Sequence, residues 1–167
     1  MLPRLPFRLL ALSLFAVCAG MLAFGLYLQH VKGIEPCPMC ILQRYALAAC
    51  GVIGLLAGLQ GPQRIGQNIY AGLLAVAALG GAGVAARQSW IQWYPPDVSE
   101  CGPGLEYMLE SFPLGSALPM IFRGAGDCSM VDWTFLGLTI ANWSFISFTT
   151  IIIGIALFVM QRHKTST

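Results

Sequence analysis

Four of the six cysteines in this chain are spaced in a way that suggests chemistry. Cys37 and Cys40 form a Cys-Pro-Met-Cys motif, and Cys101 and Cys128 lie in the long polar stretch that follows at about 88–141. Close Cys-X-X-Cys pairs are typical of redox-active sites, whereas a structural disulfide gains little from closing so short a loop. Two cysteine pairs on one face of a membrane would allow electrons to pass from thiols into the bilayer. The spacing therefore favours thiol–disulfide exchange.

Two other uses of the four cysteines are compatible with their number. They could coordinate zinc, but zinc ribbons usually combine two Cys-X-X-Cys pairs, and the second pair here is widely separated. They could also form a purely structural disulfide framework, which would not need the short Cys37–Cys40 loop. The pattern disfavours both uses, and we assign no metal ligands.

The residues around the motif indicate how its thiols would be activated. Pro36 and Pro38 mark the start of a helix, where a missing backbone N–H costs nothing. The positive end of the helix dipole favours a thiolate in the first turn. Arg44 lies one turn beyond Cys40 on the same helix face, so it could face the Cys40 thiolate or the polar head group of a ligand. Alternatively, Arg44 anchors the helix at the membrane interface.

Long runs without charge predict how the chain is organised. Apolar residues make up 57% of the sequence and charged residues 10%, against about 25% charged in a typical soluble chain. A membrane-spanning helix needs about 20 mostly apolar residues. We predict a single membrane domain over residues 1–167, with four spans at about 9–29, 38–59, 65–87 and 142–161. The loops at about 30–37 and 88–141 then lie on the same side.

The distribution of charge predicts which side that is. Arg4 and Arg8 precede an apolar stretch that continues through Leu28, too long for a cleaved signal peptide, so we expect a retained span. The basic residues of the short segments favour cytoplasmic termini, and all seven acidic residues then lie outside. The four cysteines of the two pairs fall on that outer, oxidising face. The net charge of +2 is small and scattered, which argues against a nucleic-acid partner.

The two remaining cysteines and part of the long loop are expected to have structural roles. Cys18 and Cys50 lie within predicted spans, where a cysteine usually acts as a small apolar packing residue. In the loop, an i, i+3, i+4, i+7 pattern of apolar residues between Leu105 and Phe112 predicts a short amphipathic helix that ends at Pro113. This helix either lies on the membrane surface or packs against its own loop.

Several segments of the chain resemble one family of bacterial membrane proteins. The matching stretches are Gln29-His30, Glu35–Arg44 around the motif, Trp93–Pro95, Cys101, Gly126–Cys128 and Asp132–Gly137. In this order they are similar to the DsbB family of disulfide-bond formation proteins. In the related vitamin K epoxide reductases the Cys-X-X-Cys motif follows the cysteine loop, whereas here it precedes that loop.

The resemblance implies an all-α integral membrane four-helix bundle with a long periplasmic loop, located in the bacterial inner membrane with both termini cytoplasmic. The protein would be a disulfide oxidoreductase that reoxidises a periplasmic DsbA-like thiol oxidase and reduces a membrane quinone, either ubiquinone or menaquinone. Reduced DsbA would attack a Cys101–Cys128 disulfide at Cys101, and Cys128 would then attack Cys37. Cys40 would leave as a thiolate and reduce the quinone, with Arg44 stabilising the charge.

One position departs from the family pattern. Some members carry a histidine near the end of the third span that assists quinone binding, and alignment from Tyr94-Pro95 places Gln88 there. Glutamine cannot carry a positive charge, but it can donate a hydrogen bond to a quinone oxygen. Gln88 is therefore a candidate quinone-binding residue beside Arg44.

Two rival functions remain at this point. The same cysteines could deliver electrons outward in a membrane thiol reductase, although no second cysteine pair lies on the cytoplasmic side to collect them. The chain could also be a non-enzymatic membrane protein whose cysteines serve metal binding or structure. Metal analysis together with thiol titration separates this last class from an oxidoreductase.

Overall fold

Four long helices make up most of the described chain. The computed structural model describes residues 7–95, 110–111, 113, 116, 119, 126–131 and 133–164. The long helices are α1 (Phe7–Lys32), α2 (Pro38–Gln60), α3 (Arg64–Trp93) and α5 (Ile140–Lys164). Between α3 and α5 lie a short helix α4 (Gly126–Ser129) and a two-stranded hairpin, β1 (Thr134–Phe135) and β2 (Leu138–Thr139).

The long helices are suited to lipid rather than water. All four are long and apolar enough to cross a membrane. Large apolar side chains such as Leu59, Ile65 and Val76 remain more than half exposed, and lipid can cover them. The expected all-α, four-helix membrane fold is confirmed. Helix α3 continues to Trp93 rather than ending near residue 87, so its last turns carry polar residues toward the cysteine motif.

The start and end of α2 follow from local chemistry. Cys37 is the N-cap residue, and its Sγ accepts a hydrogen bond from the backbone N–H of Cys40 at 3.4 Å. Pro38 follows in the first helical position, where no N–H is required. At the other end Gly61 adopts a left-handed conformation (φ 54°), and its N–H bonds Ala57 O at 3.1 Å. The first cysteine of the motif thus caps the helix that carries the second.

Neighbouring helices pack in chain order around an apolar centre. Helix α2 contacts α1 and α3, and α3 also contacts α5. The buried core contains Cys18, Leu47, Cys50, Leu74, Ala78, Ala82 and Phe148. The Phe148 ring lies directly over Gly81, where a Cβ atom would overlap it, so a glycine is required for this approach of α5 to α3. We call the buried core residues, which do not include Gly81, the central cluster.

A smaller apolar cluster lies where the motif begins. Cys37, Met39, Ile91 and Cys128 are all buried there, because α4 packs against α2 and α3. Helix α4 thereby brings a residue of the long loop back to the start of α2. We call these residues the motif cluster.

The hairpin was not expected from the sequence, which predicted a loop at about 88–141. Leu136 and Gly137 both have positive φ (52° and 77°), as a tight two-residue turn requires. Trp143 Nε1 donates to Phe135 O at 3.1 Å, and Thr139 Oγ1 donates to Gln92 Oε1 at 2.7 Å. These bonds hold the hairpin against α5 and α3. Most of the predicted amphipathic helix at residues 105–112 lies outside the described residues, as does Cys101.

Candidate redox site

The two thiols of the motif face each other at the start of α2. Cys37 Sγ and Cys40 Sγ are 3.2 Å apart and are not disulfide-bonded. Cys37 is 7% exposed, whereas Cys40 is only partly buried. The N-cap position of one cysteine and the first-turn position of the other bring the sulfurs together without any tertiary contact.

Tertiary packing adds a third sulfur to this pair. Cys128, which is 1% exposed, reaches the Cys37 thiol from α4 and shares a hydrogen bond with it. The hydrogen bonds to Cys128 and Cys40, together with burial, raise the pKa of the Cys37 thiol above its ordinary value. Cys37 is therefore the middle sulfur of three, in contact with one thiol from the loop and one from its own helix. This arrangement permits exchange between Cys128 and Cys40 through Cys37.

Gln88 lies against these sulfurs from α3. Its Nε2 donates to Cys40 Sγ at 3.1 Å and to Cys37 Sγ at 3.4 Å. Its Oε1 accepts a hydrogen bond from Gln43 Nε2 at 2.6 Å. The residue predicted to contact a quinone thus contacts the motif thiols, and it also lines the cavity described below.

Arg44 joins α2 to α1. Its guanidinium donates to Gln29 Oε1 at 2.5 Å and to Gly25 O at 3.0 Å. The side chain also lines the same cavity as Cys40, so it holds a positive charge at the edge of that space. Both sequence interpretations, helix anchor and ligand contact, are compatible with this placement.

A cavity of about 840 Å³ opens beside Cys40 between α1, α2, α5 and the hairpin. Its wall is mostly apolar and includes the aromatic side chains of Phe24, Trp133, Phe135, Trp143 and Phe148. The polar residues on the wall include Cys40, Arg44 and Gln88, and also Thr139, Ser144 and Ser147 from the hairpin and α5. Pockets of this size and character are typical of sites for small organic ligands.

Comparison with known proteins gives the family. The family described as "Disulfide bond formation protein DsbB" matches residues 7–158. A protein named "Disulfide bond formation protein B" from Azoarcus sp. (strain BH72) is 70% identical over 141 residues, which cover 84% of this chain and 85% of the relative. The chain belongs to the DsbB family. Proteins of the same name from Aromatoleum aromaticum and Paracidovorax citrulli are 59% and 54% identical over 156 residues, 93% of this chain and 94% and 86% of the relatives.

Membership of the DsbB family connects the fold to a redox role in disulfide formation. Three of the four predicted reactive cysteines, Cys37, Cys40 and Cys128, meet in one place, and Cys101 lies outside the described residues. Within the described part of the chain, no group of three or more His, Cys, Asp and Glu residues is arranged to hold a metal ion. The side chains that meet at the start of α2 are the thiols of Cys37, Cys40 and Cys128 and the amide of Gln88.

Sequence reasoning missed Gln43 and the hairpin. Gln43 lies three residues after Cys40, on the same face of α2, so helical spacing alone could have drawn attention to it. The hairpin is harder to recognise in the sequence, because each of its strands contains only two residues and shows no alternating pattern. Gln92, which holds the hairpin, could not have been paired with Thr139 from spacing, since the two residues lie on different elements.

Proposed function

We propose that this chain is a protein dithiol:quinone oxidoreductase that reoxidises a periplasmic DsbA-like thiol oxidase. The observation that carries the proposal is the position of Cys37 between Cys128 and Cys40. A sulfur in contact with two others can be attacked from one side while its bond on the other side breaks. Electrons then pass from the loop cysteines to the motif cysteines.

The first exchange involves the partner. A thiolate of the reduced DsbA-like protein attacks the Cys101–Cys128 disulfide at Cys101, and Cys128 leaves with the bonding electron pair. The second partner thiolate then attacks the mixed disulfide and releases Cys101. The partner leaves as a disulfide, and both electrons remain on Cys101 and Cys128.

The second exchange passes the electrons to the motif. The Cys128 thiolate attacks Cys37 Sγ of a Cys37–Cys40 disulfide, and Cys40 leaves as a thiolate with the electron pair of the broken bond. Cys101 then attacks the Cys128–Cys37 disulfide, which restores the Cys101–Cys128 bond and releases Cys37. The motif is left as a dithiol that holds two electrons for an acceptor.

The cavity beside Cys40 suits a membrane quinone, either ubiquinone or menaquinone. Its apolar and aromatic wall matches a ring with an isoprenoid chain, and Arg44 and Gln88 supply donors for polar ring substituents. A bound quinone would supply a lipid-soluble acceptor of two electrons and two protons. Arg44 would also favour negative charge on Cys40 by proximity.

Redox potentials explain why such an acceptor is required. DsbA, a reference couple on the thiol–disulfide scale, lies at about −120 mV, and thioredoxin lies at about −270 mV. Oxidation of DsbA by an ordinary thioredoxin-like disulfide would be uphill by about 150 mV, or about 7 kcal/mol for two electrons. Stabilisation of the Cys40 thiolate offsets part of this difference, and a quinone of higher potential offsets the rest.

Charge placement supports an inner-membrane location with cytoplasmic termini and periplasmic cysteines. Arg8 donates to Gly58 O, at the end of α2 opposite the motif. At the same end Arg162 donates to Asn68 Oδ1 and to Arg64 O. Basic residues concentrate on the cytoplasmic side of membrane proteins. The motif end is then periplasmic, where a disulfide can persist.

The proposal is tested with the purified full chain in detergent, reduced DsbA and a short-chain ubiquinone. We expect oxidation of DsbA thiols coupled to quinone reduction, and a loss of at least about a hundredfold in Cys40→Ser, since this variant lacks a reacting sulfur. Cys50→Ala, which removes a buried thiol outside the site, serves as the matched control and keeps near-normal turnover. Absence of thiol oxidation by the unmodified chain, or full activity of Cys40→Ser, contradicts the proposal.

A further inference from the structure

Two buried glutamine side chains, Gln43 and Gln88, are joined by a hydrogen bond, and Gln88 in turn contacts the motif sulfurs. Gln43 Nε2 donates to Gln88 Oε1 at 2.6 Å, and Gln88 Nε2 donates to Cys40 Sγ at 3.1 Å. Gln43 is 4% exposed and Gln88 is 3% exposed. Buried polar groups cost free energy unless their hydrogen bonds are made, so amides at this depth are held by specific partners.

These two hydrogen bonds orient the amide group of Gln88. A glutamine amide offers an acceptor at its oxygen and donors at its nitrogen. Because Gln43 donates to the Gln88 oxygen, the Gln88 NH2 group is the nearer group to Cys40 Sγ, at 3.1 Å, whereas the Gln88 oxygen lies 3.6 Å from the same sulfur and can accept only from its thiol form. A thiolate can only accept hydrogen bonds. The opposite orientation would exchange the two groups, bring the Gln88 oxygen nearest to Cys40 and repel a negative charge there.

We propose that Gln43 positions the Gln88 amide so that its NH2 group stabilises the Cys40 thiolate. The inference rests on the proposed function, in which the Cys37–Cys40 bond breaks, a Cys128–Cys37 bond forms, and Cys40 keeps the electron pair. Gln88 donates a hydrogen bond to that sulfur without giving up its proton. Gln43 is a positioning residue, since it acts on the sulfur through Gln88. Charge-assisted hydrogen bonds are stronger than neutral ones, so the bond favours the thiolate over the thiol.

Other ionisable groups also surround Cys40. Cys37 contacts it directly, Cys128 contacts Cys37, and Glu35 and Arg44 line the same cavity. All four remain unchanged when Gln43 or Gln88 is substituted. The change caused by Gln88→Leu or Gln43→Leu, neither of which adds an ionisable group, therefore reports the amides rather than these neighbours.

The experiment measures the thiolate directly and needs neither quinone nor the DsbA-like partner. The full chain in detergent is reduced, freed of reductant and treated with iodoacetamide over a range of pH. Fragment-ion mass spectrometry resolves the adduct on Cys40 from that on Cys37. Since only the thiolate reacts, the rate against pH reports how readily Cys40 ionises.

We expect Gln88→Leu to slow alkylation of Cys40 about tenfold at about pH 7, as expected for loss of a hydrogen bond to a charged group. The difference should close at about pH 10, where an ordinary thiol is already ionised. Gln88→His keeps an N–H donor and should restore most of the rate. Gln67→Leu makes the same change on α3 at a glutamine that bonds Pro62 O, and it should leave the Cys40 profile unaltered.

The positioning role of Gln43 is tested by two further variants. Gln43→Leu frees the Gln88 amide to turn and should slow alkylation about threefold at about pH 7. An ionised glutamate can only accept, so Gln43→Glu should draw the Gln88 nitrogen away from Cys40. Its like charge should also disfavour the thiolate, so we expect a slower reaction than in Gln43→Leu, which is the variant that isolates positioning. A lost donor moves the pH profile, whereas a purely structural defect lowers the rate at every pH.

The outcomes separate this inference from the proposed function. Cys40 profiles that are unchanged in Gln88→Leu and Gln43→Glu, in a chain that still oxidises DsbA with quinone, overturn the inference alone. Shifted profiles in a chain that cannot oxidise DsbA overturn the proposed function alone. A uniform loss of rate at all pH values assigns the amides to packing and also overturns the inference. If Gln88→Leu does not fold, the two Gln43 variants decide.

Discussion

Two groups of cysteines in this bundle are both buried, yet their surroundings differ. Cys18 and Cys50 are fully buried in the central cluster, among aliphatic side chains and Phe148. Cys37 and Cys128 are almost as buried, but they lie beside Cys40 and the amide of Gln88. The comparison teaches that burial alone does not distinguish the two groups of thiols. Cys18 and Cys50 also belong to one cluster, so the difference is the amide donor of Gln88 and the cavity that Cys40 lines.

The largest expected effect is a contrast in labelling between the two groups. In the reduced native chain we expect Cys40 to react with a small charged thiol reagent at least about a hundredfold faster than Cys18 or Cys50, because Cys40 lines a cavity and they are enclosed. Site-resolved mass spectrometry measures the rates. Equal labelling of all sites after denaturation in SDS is the control, and comparable native rates for Cys18 and Cys40 would break the comparison.

A second prediction concerns a substitution that affects only the central cluster. Gly81→Ala places a methyl group in the Phe148 ring, and we expect it to destabilise the fold by about 1–3 kcal/mol through overpacking. Thermal unfolding in detergent measures the loss, and labelling of Cys18 and Cys50 should accelerate as their enclosure loosens. Gly83→Ala is the matched control, since no atom lies within 4 Å of its added Cβ. Equal stability of the two variants would refute the packing argument.

The smallest expected effect concerns Arg44, which lines the cavity beside Cys40. Arg44→Ala should raise the apparent KM for quinone about three- to tenfold, and more than it raises the KM for DsbA, because it removes a charge from the cavity wall. Steady-state kinetics with each substrate varied measure this difference. Gln29→Ala removes the side-chain partner of Arg44 on α1 without removing the charge, and the bond to Gly25 O remains. Equal effects of both variants on the two KM values would assign Arg44 to helix anchoring.

Much of the fold was predictable because a helix that crosses a lipid bilayer needs about 20 mostly apolar residues. The charge-free runs marked all four helices, and α2 begins at the predicted residue 38. Helix α3 continues to Trp93, beyond the span predicted at about 65–87, since helical bonding does not stop at the charged Arg87. The hairpin was missed because two-residue strands have no periodicity to detect.

For the site, the sequence determined local chemistry, and tertiary structure decided which groups meet. The prolines and the Cys-X-X-Cys spacing determined that Cys37 caps a helix and that Cys40 lies in its first turn. Only packing brings Cys128 to Cys37 and Gln88 to Cys40, since these residues belong to separate elements. The physical reason is that periodicity encodes which face of a helix a residue occupies. It does not encode which neighbouring helix covers that face.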